Sequence, residues 1–298
     1  MIKIRIPATS ANLGAGFDSL GLAVTLYNTV YMEQAEQTDI ASLDEKPVPA
    51  GKDNLIYLSA QKVYDLCGKP LSGLHIRQVN RIPMTRGLGS SSACIIAGIT
   101  GANELLGRPF SPDELVNLAA EIEGHPDNTT PALLGGIVTS VFDGDKVFWV
   151  KQELHAGLYF YAIIPNFEMK TEKARSILPK QIDFSDAVYN LSRAALFSSS
   201  LLQGKYENLQ IAVHDRLHQP YRLSMIPKGR EVMEECYHFG AYAAYMSGAG
   251  PTIMAIVDEQ KQFFGLHMRE RLNEMGLQGW HLERLNIDNA GTMVYNEA

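Results

Sequence analysis

The densest chemistry in the sequence lies between Pro83 and Ala97, Pro-Met-Thr-Arg-Gly-Leu-Gly-Ser-Ser-Ser-Ala-Cys-Ile-Ile-Ala. Gly87 and Gly89 flank one leucine, three serines follow, and small and apolar residues continue from there. This order reads as a tight glycine loop feeding the first turn of a buried helix. Glycines let the backbone approach an anion closely, and the first helical turn presents unpaired N–H groups with the positive end of the helix dipole behind them. The hydroxyls of Ser90, Ser91 and Ser92 can accept from the same helix, donate to phosphate or ligate Mg2+. Phosphate binding is the chemistry implied, and a plain turn before a core helix is the alternative. No Gly-Lys-Ser/Thr follows at Walker A spacing, and the glycines do not form GxGxxG.

Two more stretches carry similar signals. Pro7-Ala-Thr-Ser-Ala-Asn-Leu-Gly-Ala-Gly-Phe-Asp18 follows the first strand, and Met246-Ser-Gly-Ala-Gly-Pro-Thr252 comes late in the chain. With Pro-x-x-x-Gly-Leu-Gly-Ser-Ser-Ser between them, they resemble the three motifs of the GHMP small-molecule kinases, in that family's order and spacing and over nearly the whole chain. Glu123-Gly-His-Pro-Asp-Asn128, followed by Pro131-Ala-Leu-Leu-Gly-Gly136, is most similar to the family's homoserine kinase branch. Thr129-Thr130 departs from it, because an apolar pair is expected there.

The resemblance implies an α+β, two-domain architecture. Residues 1–155 would form an ATP-binding domain with a ribosomal-protein-S5-like fold, and residues 156–298 a ferredoxin-like domain. It further implies phosphorylation of the side-chain hydroxyl of L-homoserine by ATP with Mg2+. Pro83, Met84, Thr85, Arg86, Gly87, Leu88, Gly89, Ser90, Ser91, Ser92 and Ala93 would cradle ATP together with Gly248 and Gly250. Asn54 would face adenine, with helix capping as its alternative role. Ser91 and Glu121 would hold the metal. Asp127 and Asn128 would lie near the acceptor hydroxyl, and Arg175 would join them in catalysis. Asn12, Asp18, His125, Asn128, Arg175 and Arg222 would bind the amino acid. Arginine suits a carboxylate because its planar fork makes two parallel hydrogen bonds.

The elements that must position these residues follow from periodicity. Ile2, Ile4 and Ile6 alternate with Lys3 and Arg5, which makes a strand rather than a signal peptide. A second strand is expected from Val24 to Met32, a helix from Asp53 or Asn54 to Gly68, and a strand from Leu74 to Ile82 running into the glycine loop. Ser111-Pro-Asp-Glu114 is a helix N-terminus with serine as cap and glutamate three residues on. Leu115, Leu118, Ala119 and Ile122 mark that helix's apolar face, with Glu121 at its edge, where spacing alone favours a surface ion pair over the metal role that the resemblance implies. Gly124 breaks the helix, and a hairpin turns at Asp143-Gly144. Later helices are expected at Thr171 to Leu178, Ser185 to Leu202 and Tyr206 to Leu217, and strands at Thr252 to Val257, His281 to Leu285 and Thr292 to Tyr295.

Composition limits the alternatives. With 298 residues, 46% hydrophobic and 20% charged, the chain can bury a large core and shows no disorder signature. A net charge of −7 and the lack of a basic, aromatic-rich strand motif argue against nucleic acid, and no apolar run is long enough to span a bilayer. Cys67, Cys94 and Cys236 are scattered and lack CxxC spacing, so no disulfide or zinc framework is indicated and a cytoplasmic location is expected. A zinc site from His125, Asp127 and Glu121 lacks a fourth ligand. Two other readings stay open: a kinase acting on another small alcohol such as mevalonate, and a module that keeps the fold without the chemistry. A homodimer is an expectation from the family alone.

Overall fold

The computed structural model describes every residue except 45, 155, 156, 297 and 298. In β1 (Ile2–Ala11) the three isoleucines turn into the core, while Lys3 and Arg5 lie over the rings of Tyr31 and Tyr27 on the next strand. The register between β1 and β2 (Leu20–Ala35) shifts between Pro7 and Ala8. Beyond the shift alternation stops, and Ala8 to Ala11 are buried on both faces, which only small residues permit.

The first half continues with β3 (Asp39–Ser42), α1 (Leu55–Leu66), β4 (Gly73–Asn80), α2 (Ser90–Leu105), α3 (Pro112–Glu123), α4 (Pro126–Leu134), β5 (Ile137–Phe142) and β6 (Val147–Gln152). Its sheet runs β1-β2-β4-β3, with β5 pairing the start of β2 and β6 pairing β5. Of these pairs, β3 with β4 is parallel and the others are antiparallel. The predicted capping box at Ser111 and Glu114 is formed.

The second half contains β7 (Leu158–Ile164), α5 (Thr171–Ser176), α6 (Phe184–Gln203), α7 (Leu209–Ala212), α8 (Gln219–Leu223), α9 (Gly229–His238), β8 (Ala243–Met246), β9 (Ile253–Asp258), α10 (Phe264–Glu274) and β10 (His281–Leu285). Its antiparallel sheet runs β10-β7-β9-β8. The last strand, β11 (Met293–Asn296), leaves this half and pairs with β1 on the open edge of the first sheet. One apolar core runs from Ile4, Leu88 and Ile96 through to Phe160 and Tyr245, so the two sheets share it. The expected boundary at residue 155 lies outside the described residues.

Three segments differ from expectation. Strand β1 continues to Ala11, so the first motif begins inside the strand and not after it. The helix predicted from Tyr206 to Leu217 shortens to a 3-10 turn (Tyr206–Asn208) and α7. The side chain of Asp215 accepts from the backbone N–H groups of Leu217, His218 and Gln219, and this starts α8 in place of a continued helix. After Gly124 the chain does not loop but re-enters a helix, α4, with His125 at its N-cap position. Among the described residues no helix is long and apolar enough to cross a membrane.

Candidate active site

A cleft between the halves is lined by the glycine loop, the 12–18 turn, the start of α4, the start of α5, α8 and the 248–249 turn. At one end, Gly89 precedes α2 in a left-handed conformation, φ 69°, and among the described residues no side chain caps the helix. The first-turn N–H groups of α2 therefore face the cleft, as an anion site requires. A Cβ on Gly89 would fall 1.9 Å from Thr9 Oγ1, so glycine is needed for close approach as well as for φ. Thr9 in turn donates to Asn128 Oδ1 at 2.7 Å, which leaves the amide NH2 of Asn128 for the cleft. The loop is tied to the second half by backbone bonds, Met169 N–H to Thr85 O (3.0 Å) and Thr252 N–H to Arg86 O (3.2 Å).

Ser91 and Ser92 both donate to one carboxylate, that of Glu123, at 3.2 and 3.1 Å. This corrects the expected pairing of Ser91 with Glu121. Residues two apart on a helix point roughly 200° away from each other. Glu121 accordingly lies on the outer side of α3, its side chain 61% exposed and paired with Lys62 at 3.2 Å, while Glu123 faces the cleft. The signal was present in the sequence, since Glu123 directly precedes the helix-ending Gly124 and the polar run after it. Two serine hydroxyls and a carboxylate beside an anion site are hard oxygen donors, a set that fits Mg2+.

Burial takes three expected ATP-binding residues, Asn54, Leu88 and Ala93, out of the cleft. Asn54 caps α1: it accepts from Ile56 N–H at 2.9 Å, donates to the Pro49 carbonyl at 2.9 Å and is buried, so it does not face the cleft. Leu88 and Ala93 belong to the apolar core. Neither Pro83 nor Gly250 lines the cleft, and Gly250 lies close against Gly87. Met84, Thr85, Arg86, Gly87, Gly89, Ser90, Ser91, Ser92 and Gly248 line it, as do Thr171 and Cys94, which the sequence did not single out.

At the other end, side chains from four separate segments converge. Asn12, at φ 71°, accepts from Asp18 N–H and donates to the Gly248 carbonyl, both at 3.0 Å, and so clamps the first and third motifs together. Asp18 receives a two-point fork from Arg175, at 3.0 and 2.7 Å. His125 Nδ1 lies 2.7 Å from Asp127 Oδ1. Burial alone would lower the pKa of His125, but the hydrogen bond and charge of Asp127 outweigh it and the net shift is upward. Arg222 is buried, and burial together with Arg175 lowers its pKa to about 10, which leaves it charged at neutral pH. Asp18, His125 and Asp127 could each offer one ligand atom within 4.8 Å of the others, yet Asp18 is engaged by Arg175 and Asp127 by His125. The zinc grouping considered with Glu121 is absent, because Glu121 lies elsewhere.

The comparisons agree with this arrangement. Residues 54–136 match the model of the GHMP kinases N terminal domain, and residues 197–271 that of the GHMP kinases C terminal. The chain is 47% identical to the homoserine kinase of Clostridium beijerinckii, over 99% of this chain and 98% of that protein. It is 45% identical to that of Caldicellulosiruptor bescii, over 99% and 97%. The crystal structure of homoserine kinase from Cytophaga hutchinsonii superposes with a TM-score of 0.87 at 30% identity, covering 99% of this chain and 97% of that one. The Methanococcus jannaschii mevalonate kinase, at 17% identity and a TM-score of 0.72 over 97% and 98%, shares the fold. With motifs, cleft and full-length relatives in agreement, the chain belongs to the GHMP kinase family, in its homoserine kinase branch.

Proposed function

We infer that the chain transfers the γ-phosphoryl group of ATP to the side-chain hydroxyl of L-homoserine, giving O-phospho-L-homoserine and ADP on the route to threonine. The observation that carries this reading is the pairing, in one cleft, of an uncapped helix N-terminus with Asp18, Arg175 and Arg222. The first is suited to phosphates, and the second set to an ammonium and a carboxylate on one carbon. Mevalonate has no ammonium, and Asp18 would then face no partner in the substrate.

In this reading the N–H groups of α2 and the glycine loop hold the phosphates. Ser91, Ser92 and Glu123 would hold Mg2+, which when bound neutralises charge on the phosphate oxygens. Arg222 and the Arg175–Asp18 pair grip the amino-acid head, and Asn128 and Asp127 orient the hydroxyl. The hydroxyl oxygen forms its bond to the γ-phosphorus as the bond to the bridging oxygen breaks, ADP departs, and the hydroxyl proton passes late to the Asp127 carboxylate. A loose transition state needs positioning and charge neutralisation more than a strong base. The division of labour between residues 1–155 and 156–298, a homodimer and cytoplasmic residence belong to the same reading. Three free cysteines support the last of these.

The test is ADP release measured with homoserine, with mevalonate and with no acceptor. Release that depends on homoserine supports the assignment. Release that is indifferent to homoserine, or faster with mevalonate, overturns it.

A further inference from the structure

Arg222 commits three of its five N–H groups to fixed acceptors. Nε donates to the Ala174 carbonyl at 3.0 Å, and Nη1 donates to the Gly248 carbonyl at 3.1 Å and to Nδ1 of His218 at 3.3 Å. Among the described residues none accepts from Nη2, and the side chain lines the cleft. The direction of Nη2 therefore depends on what holds the rest of the guanidinium.

His218 is completely buried beneath it. Its Nε2 lies 2.8 Å from the Gly14 carbonyl, which can only accept, so the proton of the neutral ring sits on Nε2 and Nδ1 keeps a lone pair toward Arg222. The ring stacks on Phe17 with 5.2 Å between centroids, and Arg222 lies over the same phenyl ring at 5.3 Å. Asp215 fixes the backbone below, accepting from the N–H of His218 and from the amide of Asn190. Burial drives the proton off the imidazole. Asp215, 3.7 Å from Nε2, pulls the other way, and the positive charge of Arg222 sides with burial.

We propose that His218 is a positioning residue for the acceptor: its Nδ1 lone pair, set by the Nε2–H bond to Gly14, aims the unused Nη2 edge of Arg222 at the substrate carboxylate. The same bond couples that aim to the turn bearing Asn12 and Asp18. This rests on the reading of Arg222 as a carboxylate anchor, and the test separates the two.

An asparagine amide places its oxygen near the site of Nδ1, whereas a glutamine amide reaches the site of Nε2. The full chain is prepared as His218→Ala, His218→Asn, His218→Gln and Arg222→Lys, and KM and kcat are measured for homoserine and for ATP. Loss of a charge-assisted bond that orients a ligand group should raise the homoserine KM of His218→Ala by about 10- to 100-fold. The ATP KM should stay within about twofold, because the phosphate end is not involved. His218→Asn should recover most of the loss and His218→Gln should not. Turnover of 3-aminopropan-1-ol, which is homoserine without its carboxylate, should not distinguish the three His218 variants.

Rescue by glutamine and not asparagine would overturn the proposal, as would parallel rises in both KM values. If His218→Ala does not fold, the contrast between asparagine and glutamine still decides. An unchanged homoserine KM in Arg222→Lys would refute the carboxylate-anchor reading itself. Damage there, with none in His218→Ala, would overturn only the role of His218.

Discussion

The two ends of the cleft are built by different means, and in the proposed function one takes the phosphates and the other the amino-acid head. The end proposed for the phosphates is built mainly on the glycine loop and the start of α2, whose groups there are largely backbone N–H, and it is held by main-chain bonds to Met169 and Thr252. The head-group end is built from Asn12, Asp18, His125, Asp127, Arg175 and Arg222, side chains on four segments that orient one another. Backbone recognition tolerates side-chain change wherever the loop keeps its path. A pocket of interlocked ion pairs does not, because each removal leaves a partner unsatisfied.

Glu123 is the sharpest exception at the phosphate end, since both serines turn to its carboxylate. Glu123→Gln should lower kcat by about 10²- to 10³-fold, because the lost charge acts where charge develops. Glu121→Gln should stay within about twofold, as expected for an exposed ion pair. A Mg2+ titration of ATP turnover on both variants reads the contrast, and equal losses would erase it.

At the head-group end, Arg175→Lys keeps the charge and loses the fork to Asp18. A drop in kcat/KM for homoserine of about 10²-fold is expected, with the ATP KM little changed. Comparison with the deaminated analogue 4-hydroxybutyrate sharpens this result, since Asp18→Asn should narrow the preference for homoserine. Unchanged discrimination would remove Asp18 from the pocket.

A smaller effect follows from His125. Its pKa is raised on folding, so its pairing with Asp127 stabilises the protein fully below about 6.5, and this contribution fades as pH rises through the folded value. His125→Ala should therefore cost more stability at about pH 5.5 than at about pH 9. Denaturation midpoints at the two pH values measure this, and the opposite order would mean that the imidazole is buried neutral.

The smallest expected change is a gain. Thr129 and Thr130 are fully buried on α4, and among the described residues their hydroxyls have no hydrogen-bond partner. Thr129→Val keeps the shape and removes the unpaired group, which should stabilise by about 1 kcal/mol in urea unfolding. A destabilised variant would show that the hydroxyl is satisfied.

These differences also explain how much could be read from sequence. Phosphate loops are local, so Gly87, Gly89 and the serines announce themselves, and strand β4, the loop and helix α2 appear in the expected order. Capping is local as well, and Ser111 with Glu114 behaves as its spacing indicates. The facing of Glu121 and Glu123 needed the phase of α3 to within one residue, finer than apolar periodicity resolves. Helix α4 carries Pro131 and two β-branched threonines, residue types that argue against a helix. It persists because β2 yields to it: a Cβ on Gly21 would sit 1.7 Å from the Asp127 carbonyl oxygen. The end of the predicted 206–217 helix was lost to the side chain of Asp215, and the fork between Asp18 and Arg175 joins residues 157 positions apart, beyond any local pattern.

The pairing of β11 with β1 bears on how the chain is made. Strand β1 waits for a partner that lies some 290 residues further along the chain, and until then its outer hydrogen-bonding edge stays open. An open edge on an apolar strand invites pairing with other chains, and a contact of such long range forms slowly. The first half should therefore aggregate when expressed without the second, although every residue of the phosphate loop is present in it.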